Sequence, residues 1–332
     1  MYFLERIFYM VLVLVGVSIL MFVLVRIIPG DPIATALGPM ATQDSIQKMR
    51  REMGLDRPIH VQYLLYIKGI AEGKLGLSLT EKRDVLEIIQ EKLPATIELI
   101  FVSMTLAVLL AIPLGVISAL HQNSLIDHLN RITALFGVSF PSFWIGIMMQ
   151  LLFGLALGLL PITGRISGSP PEAITHFYLI DSLLTLNFRA FWNSFLHLIL
   201  PASVLCLSPL ANVTRLIRAN MIDQMSKDYI NVSKAAGMSG WIISYKYMLR
   251  NAFTSALTMI GFLIPLMVGT AFVVEKVFAF PGLARFGADA IIANDFNGVM
   301  GVTLVISVAF VIVNFLVDEL YAVLDPRIKL KR

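Results

Sequence analysis

The chain has 332 residues, of which 57% are hydrophobic and only 14% charged, and its mean hydropathy is +0.80. That leaves too little polar surface to coat a soluble globule of this size, so the chain belongs in a bilayer. Although the pI is 9.1, the net charge is only +4 and its cations are dispersed over loops, which argues for membrane topology and against a nucleic-acid surface.

A hydrocarbon core of about 30 Å takes roughly 20 helical residues to cross. Apolar runs of that order occur six times, near residues 7–28, 99–120, 132–160, 195–217, 256–274 and 299–323. Backbone groups in lipid must be paired internally, so such long, uniformly apolar runs read as helices. Barrel strands would be shorter and would alternate. The fold class expected is an all-α integral membrane protein of about six transmembrane helices.

The first run ends in RIIPGDP, without the small-residue cleavage site of a signal peptide, and is expected to be a retained membrane helix. Arg26 at its end is expected to snorkel to the outer interface. The segment that follows, to residue 98, is expected to lie outside, because a loop of this length translocates largely regardless of charge. It has apolar residues at helical spacing, with Ile46, Met49 and Met53 in one stretch and Val61, Leu64 and Leu65 in the next. Gly54-Leu55-Asp56-Arg57-Pro58 separates them, so a small helical subdomain is expected. His121 and His128 fall in a short connection after the second run and read as exposed loop histidines. The third run, 132–160, is expected to cross as one span, and the connection after it carries only Arg165 and Arg189 as cations.

Cys206, the only cysteine, lies within the fourth run, which excludes an intramolecular disulfide and a multi-cysteine metal site. It reads as a small buried hydrophobe. Pro113, Pro141, Pro201, Pro209 and Pro265 lie in or near spanning runs, and the reading favoured for them is packing rather than gating hinges. The connection from Arg215 to Arg250 adds Arg215, Arg218, Lys227, Lys234, Lys246 and Arg250, and the tail from Pro326 has four cations and no acid. Both are expected to be cytoplasmic, and with an even number of helices so is the N-terminus.

Within that connection Ile222, Met225, Tyr229, Val232 and Ala236 recur every three or four residues, and Trp241, Ile242, Tyr245, Met248 and Leu249 again fall on one face. Two short amphipathic helices are expected, joined at Ala236-Gly237-Met238-Ser239-Gly240. Gly237 can take a positive φ to end the first, and Ser239 can cap the second. Pattern alone leaves two readings of this elbow open: an amphipathic pair resting in lipid headgroups, or a compact handle that fills a groove on another protein. Beyond it, Glu275 and Lys276 follow the fifth run and read as a solvated helix end, and Asn314, Asp318 and Glu319 come late in the sixth, where an acid pairs with another subunit or with Arg327.

The stretch VSKAAGMS at 232–239, followed by LRNA at 249–252, resembles the EAA loop of ABC-importer permeases. More closely, the chain resembles the first permease subunit of the dipeptide/oligopeptide/nickel importer family. The similarity runs from end to end through RIIPGDP at 26–32, MGLDRPIHVQY at 53–63, GKLGLS at 73–78, LPATIEL at 93–99, PSFWIGI at 141–147, LPITG at 160–164, VVEKVFAFPGL at 273–283 and LDPRIK at 324–329. Departures are Lys234 where the general motif has glutamate, Ala284 after Pro-Gly-Leu, and the missing proline at Asp295-Phe296-Asn297-Gly298.

This resemblance implies a type I ABC-importer permease fold. It divides the chain into a first transmembrane helix at 1–28, an extracytoplasmic helical segment at 29–98, a five-helix core at 99–323 that includes a coupling elbow at 221–251, and a cytoplasmic tail at 324–332. It also implies partners: a homologous second permease, two cytoplasmic ATPases and an external solute-binding protein, with lipid around the whole. Lys234, Ala235, Ala236, Gly237, Met238, Ser239 and Gly240 would then contact the ATPase, whose closure on ATP moves the elbow as a lever. No cofactor is implied in this chain itself: ATP and Mg would be bound by the ATPases, since no G-x-x-x-x-G-K-[ST] loop is present. The cargo implied is a peptide, or a related solute such as nickel or a metal chelate.

Three other functions compete. A self-contained secondary transporter would show internal repeats and ionisable residues at midplane, where these runs hold almost none. A membrane-embedded hydrolase would carry H-E-x-x-H or G-x-S-x-G, and neither occurs. A non-transporting scaffold is the alternative the residues exclude least.

Overall fold

The computed structural model describes residues 2–27, 33, 37, 41–52 and 54–324, without the side chains of 2–7, 52, 317, 318 and 320–324. Helices run through it: α1 Tyr2–Ile27, α2 Gln43–Glu52, α3 Ile59–Ala71, α4 Val85–Leu120, α5 Leu125–Ser139, α6 Ser142–Met149, α7 Tyr178–Leu184, α8 Phe188–Met225, α9 Asp228–Ala235, α10 Gly240–Val277, α11 Leu283–Ile292 and α12 Phe296–Leu324. Among the described residues the β contacts amount to one isolated bridge, Leu77 to Asp84. Five of these helices hold stretches long and apolar enough to cross a bilayer, namely Phe8–Ile27, Val85–Leu120, Phe188–Met225, Gly240–Val277 and Phe296–Leu316. The bent pair α5 and α6 brings the number to six.

That pair corrects the single span expected over 132–160. The two arms meet at 106°. Proline has no N–H to continue the ladder of α5, and it forces the residue before it out of the helical region. Accordingly Phe140 is extended, at φ −89° and ψ 140°, and Pro141 starts α6 as its N-cap. Beyond Met149 the backbone widens into a π-helical turn, Gln150–Ala156, and Gln150 donates through Nε2 to the carbonyls of Ile162 and Val277 at 2.7 and 3.1 Å. Pro113, Pro201, Pro209 and Pro265, by contrast, lie inside continuous helices, and Pro201 and Pro209 are buried. Cys206 is free and buried, as a small hydrophobe would be.

The chain divides into two compact units. The first comprises Met1–Thr96, Thr175–Phe177 and Pro281–Ile312. Its helices include α2 and α3, close to where the spacing places them, but the face that packs is different. Leu64 and Leu65 are exposed, whereas Tyr63 and Tyr66 close over Phe22, with Val25 and Met300 completing the cluster. Aromatic rings bury more apolar area than leucine and keep a polar tip, and the Tyr63 hydroxyl duly finds Ser18 Oγ at 2.9 Å. Arg26 does not snorkel freely. Its Nε donates to Gln62 Oε1 at 3.0 Å and its guanidinium lies 4.6 Å from the Phe22 ring, while Gln62 is itself fixed by donating to the carbonyls of Leu55 and Arg57.

The same unit closes on Asp295, which is fully buried. Its carboxylate accepts from Ser78 Oγ, from the Thr80 amide at 3.3 Å and from the Gly298 amide at 3.1 Å. Asn297 donates to the Leu77 carbonyl at 2.9 Å, and a Cβ on Gly76, whose φ is +88°, would come within 2.8 Å of the Asn297 side chain. The departure from the family pattern at 295–298 is thus a local polar knot. Asp295→Ala strands three donors in a buried site and is expected to destabilise the protein by about 2–4 kcal/mol. Asp295→Asn, which keeps an acceptor, should lose less; detergent thermal unfolding of both variants checks the order.

The second unit comprises Ile97–Ile174, Tyr178–Phe280 and Val313–Arg332. Two charged groups there lie where sequence reading did not place them. Glu275, expected in solvent, is fully buried, because α10 continues past it to Val277 and the chain then turns back, the Phe280 amide donating to the Glu275 carbonyl at 2.9 Å. Arg165, counted as a loop cation, is only 4% exposed; its guanidinium donates to Glu98 at 2.7 and 3.2 Å and stacks 3.7 Å from the centre of the Tyr178 ring. Glu98 also accepts from the Leu179 amide at 2.8 Å, so both charges are satisfied without water. His121 and His128 are exposed, as expected, but His128 lies on α5 rather than in a loop. The pairing expected near the end of α12 falls outside the described residues, since Arg327 and the Asp318 side chain lie among those left out, as does the tail from residue 325.

Candidate coupling site

The elbow forms, with one arm unlike the expectation. The helical pattern read across 222–236 is interrupted: α8 ends at Met225 and α9 starts at Asp228, with Lys227 extended between them. The break rotates the register, so Ile230 and Ser233 are buried and Val232 is 67% exposed. Tyr229 bridges the break by donating to Gln224 Oε1 at 2.7 Å and accepting from Asn251 Nδ2 at 3.2 Å.

The turn itself follows from local chemistry. Gly237 has φ +75°, its amide donates to the Lys234 carbonyl at 3.0 Å, and the Met238 amide reaches back to the Ser233 carbonyl at 3.2 Å. These two bonds are a Schellman motif, which satisfies carbonyls that the end of α9 would leave open and which glycine enters without steric cost. Ser239 then caps α10, its Oγ accepting from the Ile242 amide at 3.4 Å.

The second arm is not a short helix. It is the start of α10, which runs on for 38 residues from Gly240 to Val277 as a membrane span. A wide π-helical turn at Ile243–Met248 moves the buried face onto Ile243, Ser244 and Met248, leaving Trp241 70% exposed and stacked on Tyr245 at 5.1 Å. Such turns break the ideal period, so a face read at 3.6 residues per turn misassigns Trp241 and Ile242.

The sequence-predicted residues come together. Lys234, Ala235, Ala236, Gly237, Met238, Ser239 and Gly240 are all exposed and contiguous on one protrusion. Val232 and Trp241 extend its surface with apolar side chains, and a Cβ on Gly237 would meet nothing within 4 Å. Behind the protrusion lies a cavity of about 430 Å³, bordered by Leu120, Ile230, Met238, Ile243 and Met248. A rigid, partly apolar knuckle joined without a loop to a spanning helix can receive a push and transmit it along a rod about 57 Å long.

Sequence reasoning missed a second feature of the same unit. Asp127 on α5 is fully buried and takes Arg218 of α8 in a two-pronged grip, Nε to Oδ1 and Nη2 to Oδ2 each at 2.6 Å. Ser118 of α4 donates to the same carboxylate, as does the Asn123 amide at 3.0 Å. The local sign was Ser124 three residues before Asp127, an N-cap pair, but Arg218 lies 91 residues away.

The comparisons with known proteins agree with this architecture. Residues 111–330 match the family described as binding-protein-dependent transport system inner membrane component, and residues 1–100 match that family's N-terminal membrane-component domain. The chain is 41% identical to the probable D,D-dipeptide transport system permease protein DdpB of Escherichia coli K12, over 98% of this chain and 96% of the relative. It is 37% identical to the dipeptide transport system permease protein DppB of Alkalihalophilus pseudofirmus, over 99% of both. It is 33% identical, again over 99% of both, to the oligopeptide transport system permease protein AppB of Bacillus subtilis 168. With an all-helical membrane architecture and matches over nearly its whole length, the chain belongs to the inner-membrane components of binding-protein-dependent transport systems, the permease subunits of ABC importers.

Proposed function

We propose that the chain is one half of the translocation pathway of an ATP-driven peptide importer, paired with a homologous second permease. Two cytoplasmic ATPases drive it, and an external solute-binding protein delivers the cargo. The observation that carries the coupling assignment is the exposed protrusion at 234–240, held by a Schellman turn and continuous with a spanning helix. In this reading both termini and the protrusion face the cytoplasm, the segment at 29–98 faces outward, and the core at 99–323 carries the solute. Peptide is favoured over nickel or a metal chelate because the relatives are named for dipeptides and oligopeptides.

Mechanically, ATP and cargo are coupled only to the extent that each binds differently to the two packings of the helices. The knuckle seats in an ATPase cleft, closure of the ATPases on nucleotide moves it, and α10 moves with it. Exposed Met238, Trp241 and Val232 supply the apolar contact, and Lys234 supplies a charge where the general motif has an acid, so an acidic side chain on the ATPase is its expected neighbour. The test is site-directed crosslinking in inner-membrane vesicles of the complete importer. Photocrosslinkers at Lys234, Met238 and Trp241 should capture the ATPase, with yields that change on adding ATP analogue. Capture of lipid alone, or labelling of these positions only from outside the cell, would overturn the assignment.

A further inference from the structure

A cavity of about 300 Å³ lies between α5 and α8 in the second unit, apart from the knuckle. One end is cationic, with Arg131, Arg215 and Arg218 on its walls. Asp127 neutralises Arg218, whereas among the described residues Arg215, which donates to the Asn212 side-chain oxygen, and Arg131, one turn after Asp127 on α5, form no ion pair, and both are exposed. Two further polar groups on the same walls, Asn130 Nδ2 and Thr214 Oγ1, are buried with no hydrogen-bond partner among the described residues. Leaving such groups unpaired in a buried site is unfavourable, and two of them beside two exposed cations suit something that accepts hydrogen bonds and carries negative charge.

The rest of the wall narrows the ligand. Ala134, Leu135 and Val138 follow on successive turns of α5, away from the charged end, and Ala211 faces them from α8. Leu135 is 65% and Val138 57% exposed, so the cavity opens sideways along the helices. An inorganic anion or a peptide carboxylate uses only the cationic end. A molecule that is anionic at one end and apolar at the other uses both. In the sequence this polar end falls at the ends of the apolar runs near 132–160 and 195–217, where a spanning helix is expected to meet headgroups.

We infer that this cavity is a binding site for an anionic phospholipid, its phosphate held by Arg131, Arg215, Asn130 and Thr214 and one acyl chain lying along Ala134, Leu135 and Val138. The lipid would stitch α5 to α8 beside the Asp127–Arg218 pair. The inference does not depend on which partner the knuckle meets.

Native mass spectrometry of the full-length chain in detergent, titrated with phosphatidylglycerol and separately with phosphatidylcholine, tests it. Wild type is expected to retain phosphatidylglycerol preferentially. Arg131→Gln combined with Arg215→Gln should weaken that retention roughly tenfold to thirtyfold, whereas Arg189→Gln, an exposed cation at the start of α8, should leave it unchanged. Ala134→Phe, which fills the apolar part without touching charge, should also weaken it. Thr214→Val should lower phosphatidylglycerol retention about fivefold while raising the unfolding temperature of the lipid-free chain, because the unpaired hydroxyl is gone. A role confined to packing would not produce those opposite signs. Equal retention of both lipids, an unchanged double arginine variant, or full displacement by glycerol phosphate or a dipeptide at equal concentration would overturn the inference.

Discussion

Replacing Gly237 with proline is expected to leave the chain in the membrane and abolish ATPase recruitment. Proline fixes φ near −65°, whereas this position has φ +75°, and it removes the amide that bonds the Lys234 carbonyl at 3.0 Å. The Schellman turn then cannot close. The remainder of the series should follow backbone preference rather than size, because nothing in the chain lies within 4 Å of a Cβ at this site. Asparagine tolerates the left-handed region and should retain most of the recruitment. Alanine should lose about 1 kcal/mol of turn stability, and valine more. Aspartate keeps the backbone tolerance but adds an anion, so a loss greater than that of asparagine would report an acidic neighbour on the ATPase. Co-purification of the ATPases from detergent, with membrane-inserted permease as the denominator, gives the readout. Wild-type recruitment by the proline variant would remove the knuckle from the coupling mechanism.

This turn was legible because its determinants are local. A glycine that must reach positive φ and a serine two residues later that caps the next helix act through neighbours in the chain. The spanning runs were legible for a similar reason, since lipid requires long apolar stretches whatever their partners. The break in the third run was also written locally, in Phe140-Pro141, but an apolar run with a proline inside reads equally as a kinked span, and α8 holds two buried prolines without ending. Register is harder. The two-residue interruption at Ser226-Lys227 and the π-helical turn at Ile243–Met248 each rotate one helical face against the next, which a fixed period cannot show. Boundaries set by hydropathy also stop where lipid stops, whereas the α10 ladder continues into water at one end and into the buried turn at Glu275 at the other. The charged pairs were least accessible. Arg165 finds Glu98 across 67 residues, and until the chain has folded neither differs from a loop cation or a helix-end acid.

The pair with most to lose is Asp127 and Arg218. Removing either partner should unfold the permease more readily than any exposed charge change, because the pair is bidentate and its carboxylate is fully buried. Asp127 is fully buried and serves α4 through Ser118, the α4–α5 turn through the Asn123 amide, and α8 through both guanidinium nitrogens. Removing Arg218 strands the fully buried Asp127 carboxylate, whereas removing Asp127 leaves Arg218 with a side chain 20% exposed and partial access to solvent, so for the surviving charge the loss of Asp127 should be the milder of the two. Breaking a buried pair by deleting one member typically costs about 3–5 kcal/mol. The midpoint of thermal unfolding of Asp127→Ala in detergent is therefore expected to fall by roughly 5–15 °C. The decisive comparison is the double variant Asp127→Leu with Arg218→Met, which leaves no unpaired charge and keeps apolar volume. It should be more stable than Asp127→Leu alone, a coupling that exposed ion pairs do not show. If the single and double variants unfold at the wild-type temperature, the three helices are held by apolar packing and the ion pair is incidental. If the double variant regains stability but ATP-driven uptake stays low, the pair sets which helix packing the permease adopts rather than whether it folds, and that difference is read by comparing uptake per mole of folded complex.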